Sequence, residues 1–115
     1  MDISFDNSSG TFILRVSGDM RLWSREEGSQ RLVEVLRARR QLPKRMILNL
    51  ADVEYIDSLG VGALVRVLVE CTTHQIDLKI VLPTGPAVRV LELVHIFDAC
   101  PTFADEAAAA RASDA

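Results

Sequence analysis

At 115 residues, with 49% hydrophobic and 25% charged, the chain is long enough for one domain with a real core and too apolar for a disordered tail. The 13 basic and 16 acidic residues give a formal charge of −3, which argues against nucleic-acid binding and points to a protein partner or small ligand. The segment Met1 to Asp6 has no positive or apolar signal region, and no stretch is long enough to span a bilayer; a cytoplasmic location without membrane insertion is expected.

The chain opens with alternation. Ile3 and Phe5 precede a break at Asn7 to Gly10, after which Phe12, Leu14 and Val16 share one face and Ile13, Arg15 and Ser17 the other. This pattern predicts a β-hairpin ended by Gly18-Asp19. Ser24-Arg25-Glu26-Glu27 has the spacing of a capping box, and the helix it starts runs to about Arg40 with Leu32, Val33, Val35 and Leu36 buried. Pro43 closes the connection to a buried strand over 45–50, and 52–57 is expected to be a short loop. Beyond it, 61–71 is too long and apolar for another strand and reads as a helix. Leu59, Ala63, Leu64, Val67, Leu68 and Cys71 form one stripe on it, and Val61, Val65 and Val69 a second. Either two neighbours cover this helix, or part of it awaits a partner; the second stripe would permit a homodimer.

A strand over 78–82 follows, then Pro83-Thr84-Gly85-Pro86 and a helix over 87–94 with Pro86 near its first position and Val88 and Leu91 facing inward. Thr102-Phe103 reads as a short edge strand, and Asp105 as the cap of a final Ala-rich helix over 106–111 with a thin apolar face. Cys71 and Cys100 lack paired metal spacing and read as reduced, partly buried thiols. His74 and His95 fall at helix ends, where capping is favoured over catalysis. Arg37, Arg39, Arg40, Lys44 and Arg45 complement a helix C-terminus.

The most informative stretch is Ile56-Asp57-Ser58-Leu59-Gly60-Val61-Gly62, where a buried strand turns into a helix. A phosphate on Ser58 would meet a helix N-terminus, with N–H groups lacking intrahelical partners and a positive dipole. On local grounds alone a capped helix start with no function is the favoured account, since Asp and Ser are preferred caps and Gly a preferred packing residue; only the wider pattern reverses that order.

The element order, hairpin-α-β-α-β-α-β-α, predicts an α/β fold with a mixed four- to five-stranded sheet against about four helices. With Ser17-Gly18-Asp19-Met20, Ile47 to Val53, Tyr55-Ile56-Asp57-Ser58 and Pro86-Ala87-Val88 with Leu91 in that order, the chain resembles a stand-alone STAS domain of the anti-sigma factor antagonist family. The likeness covers about residues 2–111 of a single domain over 1–115. It implies a non-enzymatic partner switch that needs no cofactor or metal. The unphosphorylated protein would bind an anti-sigma factor that is a serine kinase of the histidine-kinase-like ATPase superfamily. Phosphorylation of Ser58 would end the complex, and a PP2C-type phosphatase would reset it. Asp57, Leu59, Gly60 and Gly62 would support the acceptor, with Gly60 and Gly62 leaving room for the kinase. Asp19, Met20, Arg21, Trp23 and Val61 would line the partner surface. Leu59 and Arg21 depart from the family, standing where Ser or Thr and an acid are common. The same resemblance admits a non-switching scaffold or a small subunit of an ABC-type lipid transporter.

Two other readings fail on missing residues. A receiver domain needs an acidic cluster after its first strand to hold Mg²⁺, and that region here is a hairpin. Gly60-Val61-Gly62 lacks the dinucleotide-binding context, and Ser58 lacks the glycines of a nucleophile elbow.

Overall fold

The structure, a computed structural model, describes residues 2–8, 10–21, 30–38, 41–95, 98 and 100–112. Strand β1 (Asp2–Ser8) pairs antiparallel with β2 (Thr11–Met20), closing at Ser8 and Thr11 with Gly10 at φ 80°. Helix α1 (Gln30–Arg37) crosses to β3 (Arg45–Ile56), α2 (Ser58–Thr73) to β4 (Asp77–Val81), and α3 (Ala87–Leu93) to β5 (Thr102–Phe103); α4 (Glu106–Ala112) ends the fold. The sheet order is β1-β2-β3-β4-β5, parallel from β2 onward, so it is the mixed α/β architecture that the element order predicts.

Strand order decides where the helices lie. Each right-handed crossover moves one strand further in the same direction, which puts α1, α2 and α3 on one face. There Phe12, Leu14, Val16, Met46, Leu48 and Ile80 meet Leu32 and Leu36 of α1, Leu64 and Val67 of α2, and Ala87 and Leu91 of α3. The opposite face carries Ile13, Ile47 and Val81 and is covered by Ala109 of α4. The thin apolar face of α4 is supplemented by ion pairing: Arg15 Nε donates to Glu106 Oε2 at 2.7 Å and Nη2 to Oε1 at 2.9 Å, and Asn49 Nδ2 also donates to this carboxylate. The Arg15 guanidinium holds Glu106 below the usual carboxylate range. Asp105 caps α4, its Oδ1 accepting from the Ala108 N–H at 2.7 Å.

Two sequence expectations change here. Gly18-Asp19 does not end β2, and 52–57 is not a loop: the strands run on together, Ser17 pairing with Asp52, Gly18 with Val53, Asp19 with Tyr55 and Met20 with Ile56. Register shifts interrupt the ladder on both sides of Gly18, whose φ of 91° suits a bulge that a side chain would strain. Val53 and Ile56 turn inward from this extension, while Glu54 and Tyr55 remain exposed.

The other differences are smaller. The expected cap at Ser24 and the residues Glu27, Arg39 and Arg40 lie outside the described residues. On α3, Ala87 takes the buried place expected of Val88, which is half-buried. Arg37 joins α1 to α2 through Glu70, Nε and Nη2 each donating at 3.0 Å, and His74 Nε2 lies 3.0 Å from the same carboxylate. Burial pushes the Glu70 carboxyl up, but the Arg37 and His74 hydrogen bonds outweigh it and hold it below its usual value. Among the described residues no helix is long and apolar enough to cross a membrane.

Candidate functional site

The extension of β3 delivers Asp57 to the N-cap of α2 in an extended conformation. Its Oδ1 accepts from the N–H of Leu59 at 3.0 Å and of Gly60 at 3.1 Å, and its carbonyl accepts from Val61 N at 2.9 Å. Ser58 is thus the first helical residue, with an exposed side chain. This alters the electrostatic expectation: the Leu59 and Gly60 N–H groups that a phosphate on Ser58 would have used are already engaged by Asp57.

Helical geometry then fixes what shares a face with Ser58. At 3.6 residues per turn, Gly62, Val65 and Val69 follow it down one side of α2. Val65 is 43% and Val69 58% exposed, and nothing stands within 4 Å of where a Gly62 Cβ would be. The second apolar stripe therefore lies uncovered in the monomer, except that Val61 at its edge is half-buried and packs on the core. The first stripe faces inward, with one exception: Leu59, expected in it, is 47% exposed.

Two expected surface residues are interior. Met20 is fully buried, since β2 extends far enough for it to pair with Ile56 beneath α2. Gly60 is buried against the same strand: a Cβ there would stand 2.6 Å from both the Met20 carbonyl oxygen and Ile56 Cγ1. Its role is close packing of helix on sheet and not room for a kinase. Trp23 lies outside the described residues.

Asp19 and Arg21 stay at the surface and are joined. Arg21 Nη2 donates to Asp19 Oδ2 at 2.6 Å, Nε lies 2.9 and 3.0 Å from the two carboxylate oxygens, and the Arg21 backbone N–H donates to Oδ1 at 2.9 Å. The guanidinium also sits over the Tyr55 ring, 4.4 Å from its centroid. Hydrogen bonds from Arg21 hold the Asp19 carboxyl below its usual range. Tyr55 is the site residue that sequence reading left in the background; its alternation with Ile56 at a strand end was the available signal. Beside it a groove of about 700 Å³ opens between the end of β3 and the β4–α3 connection, lined by Asp52, Glu54, Tyr55, Thr84 and Gly85.

Elsewhere the chemistry is quiet. Burial pushes the Cys71 thiol up to about 12 and the Cys100 thiol to about 11. Among the described residues no three His, Cys, Asp or Glu side chains converge to hold a metal ion.

The sequence matches the family model of the STAS domain over residues 2–109. No curated protein is significantly similar to it. Among solved structures, an anti-sigma factor antagonist from Mycobacterium paratuberculosis superposes with a TM-score of 0.74 at 20% identity, over 96% of this chain and 92% of that one. The antagonist SpoIIAA in its unphosphorylated form gives 0.66 at 14% identity, over 97% and 96%. A sulfate transporter family protein from Wolinella succinogenes also gives 0.66, at 23% identity over 80% and 72%.

Proposed function

Because the chain belongs to the STAS domain family, we propose that it works as a single-domain, cytoplasmic anti-sigma factor antagonist that is itself a kinase substrate and not an enzyme. Its unphosphorylated form binds an anti-sigma serine kinase of the histidine-kinase-like ATPase superfamily, phosphorylation of Ser58 ends that complex, and a PP2C-type phosphatase restores it. One observation carries the reading: the exposed Ser58 hydroxyl stands at the head of an uncovered apolar stripe, Gly62, Val65 and Val69, on the same helix face.

That arrangement makes a charge switch effective. The apolar stripe rewards burial against a partner, whereas a phosphate adds a charge of about −1.5 to −2 at its end, beside the Asp57 carboxylate. Desolvating that charge in the complex opposes binding, while the free protein leaves it in water. The fold is untouched because Asp57, not Ser58, caps α2. Mapping phosphate on the protein isolated from its host tests the assignment: modification at Ser58, absent from Ser58→Ala, is expected, and a native protein never modified there contradicts it.

A second reading keeps the fold and drops the switch. The likeness to a sulfate transporter family protein, together with Leu59 exposed directly after the acceptor, suits a scaffold or a small transporter subunit whose apolar stripe is a permanent contact. Such a contact would survive Ser58→Asp.

A further inference from the structure

The Asp57 cap leaves a phosphate on Ser58 in an awkward position: the Leu59 and Gly60 N–H groups are taken by Asp57 Oδ1, whose own negative charge adjoins the new one. The β2–β3 register supplies a cation. Met20 pairs with Ile56 at the ends of β2 and β3, so Arg21, one residue past β2, and Asp57, one residue past β3, leave the sheet from neighbouring strands. The Arg21 side chain is exposed, and its guanidinium feels the Asp57 charge as well as that of Asp19.

Resting on the reading of Ser58 as phosphoacceptor, we infer that Arg21 is the counter-ion of phosphorylated Ser58. On phosphorylation its guanidinium leaves Asp19 and closes on the phosphate, and the Asp19 carboxylate is left exposed at the docking face. The exchange opposes little, because an ion pair between solvent-exposed side chains contributes little to stability. It gains a dianion with three acceptor oxygens, which a planar guanidinium binds through two parallel donors. Stacking over Tyr55 keeps the guanidinium at this end of the sheet while it changes partner. The switch would then alter two charges at once, the phosphate and the uncovered Asp19, and Arg21, the family departure just after β2, would be part of it.

The test is a ³¹P NMR titration of protein carrying genetically encoded phosphoserine at position 58, as wild type, Arg21→Gln, Asp19→Asn and the double variant. The charged and titratable groups around the Arg21 guanidinium are Asp19 from β2, Tyr55 from β3 and Asp57 at the α2 cap, and only Arg21 and Asp19 change across the set. The second phosphate pKa, ordinarily about 6, is expected to be lower in wild type than in Arg21→Gln by about half a unit or more. Asp19→Asn should lower it further, and by more with Arg21 present than in the Arg21→Gln background, since release of the guanidinium adds to loss of a negative charge. Identical titration of wild type and Arg21→Gln, or an equal effect of Asp19→Asn in both backgrounds, would overturn the inference. Because the phosphoserine is incorporated during translation without any kinase, these outcomes are separate from failure of the native protein to be phosphorylated.

Discussion

The Cα of Gly60 stands against the backbone carbonyl of Met20, so close that a Cβ at Gly60 would lie 2.6 Å from that oxygen. A helix start is thereby locked onto a strand 40 residues earlier in the chain. Neither the carbonyl nor the buried Ile56 beside it can yield easily, so Gly60→Ala should destabilise the fold by about 1–3 kcal/mol. Gly62→Ala, two residues on, enters open space and should stabilise by about 0.5–1 kcal/mol through helix propensity. Urea unfolding of the two variants reads this opposition directly.

Asp57 acts on α2 through two backbone N–H groups. Asp57→Ala should cost about 1 kcal/mol, the usual worth of such a cap, while Ser58→Ala should leave stability nearly unchanged. Thermal unfolding would separate them; equal losses would mean that the two residues share the capping.

The docking stripe makes a prediction about binding without folding. Val65→Asp and Val69→Asp place charges at positions where about half of the side chain is already in water. Both should unfold within about 0.5 kcal/mol of wild type yet lose the partner, because the charge is desolvated only in the complex. Calorimetry against the cognate kinase, paired with urea melts of the free variants, checks both halves.

Acid should loosen α4. Glu106 is held below its ordinary value, 4.5, by Arg15, so its folded pKa is lower than its unfolded one. Its stabilising contribution is therefore fully present above the unfolded value and is lost as pH falls through the folded one. Because the pair is partly exposed, the contribution is about 1 kcal/mol at most. Glu106→Gln should trail wild type in stability at neutral pH, and the gap should close as the solution is acidified below 4.5. Glu70 shifts in the same direction, so the α1–α2 link weakens in the same window.

What the sequence made legible was local. Alternation through 3–17 yields the hairpin, Asp105 announces α4, and Asp57-Ser58 marks the turn into α2. What it hid was decided by strands and helices far apart. Asp52, Glu54 and Tyr55 read as a loop because they are polar or exposed, yet pairing with β2 keeps them in a strand. That same pairing buries Met20, which in isolation follows a turn-like Gly-Asp and looks superficial. Leu59 fits the inward period of α2, yet its side chain stays at the surface while its neighbour Gly60 takes the close contact with the sheet.

The most direct measurement is the affinity of the host's anti-sigma serine kinase for the unmodified protein, Ser58→Ala and Ser58→Asp, read by calorimetry beside mass spectrometry of the kinase-treated wild type. The account predicts tight binding by the first two, binding by Ser58→Asp weakened at least tenfold, and a single phosphate on Ser58. Equal affinity for all three, with no phosphate at Ser58, would contradict it and leave α2 as a permanent docking helix.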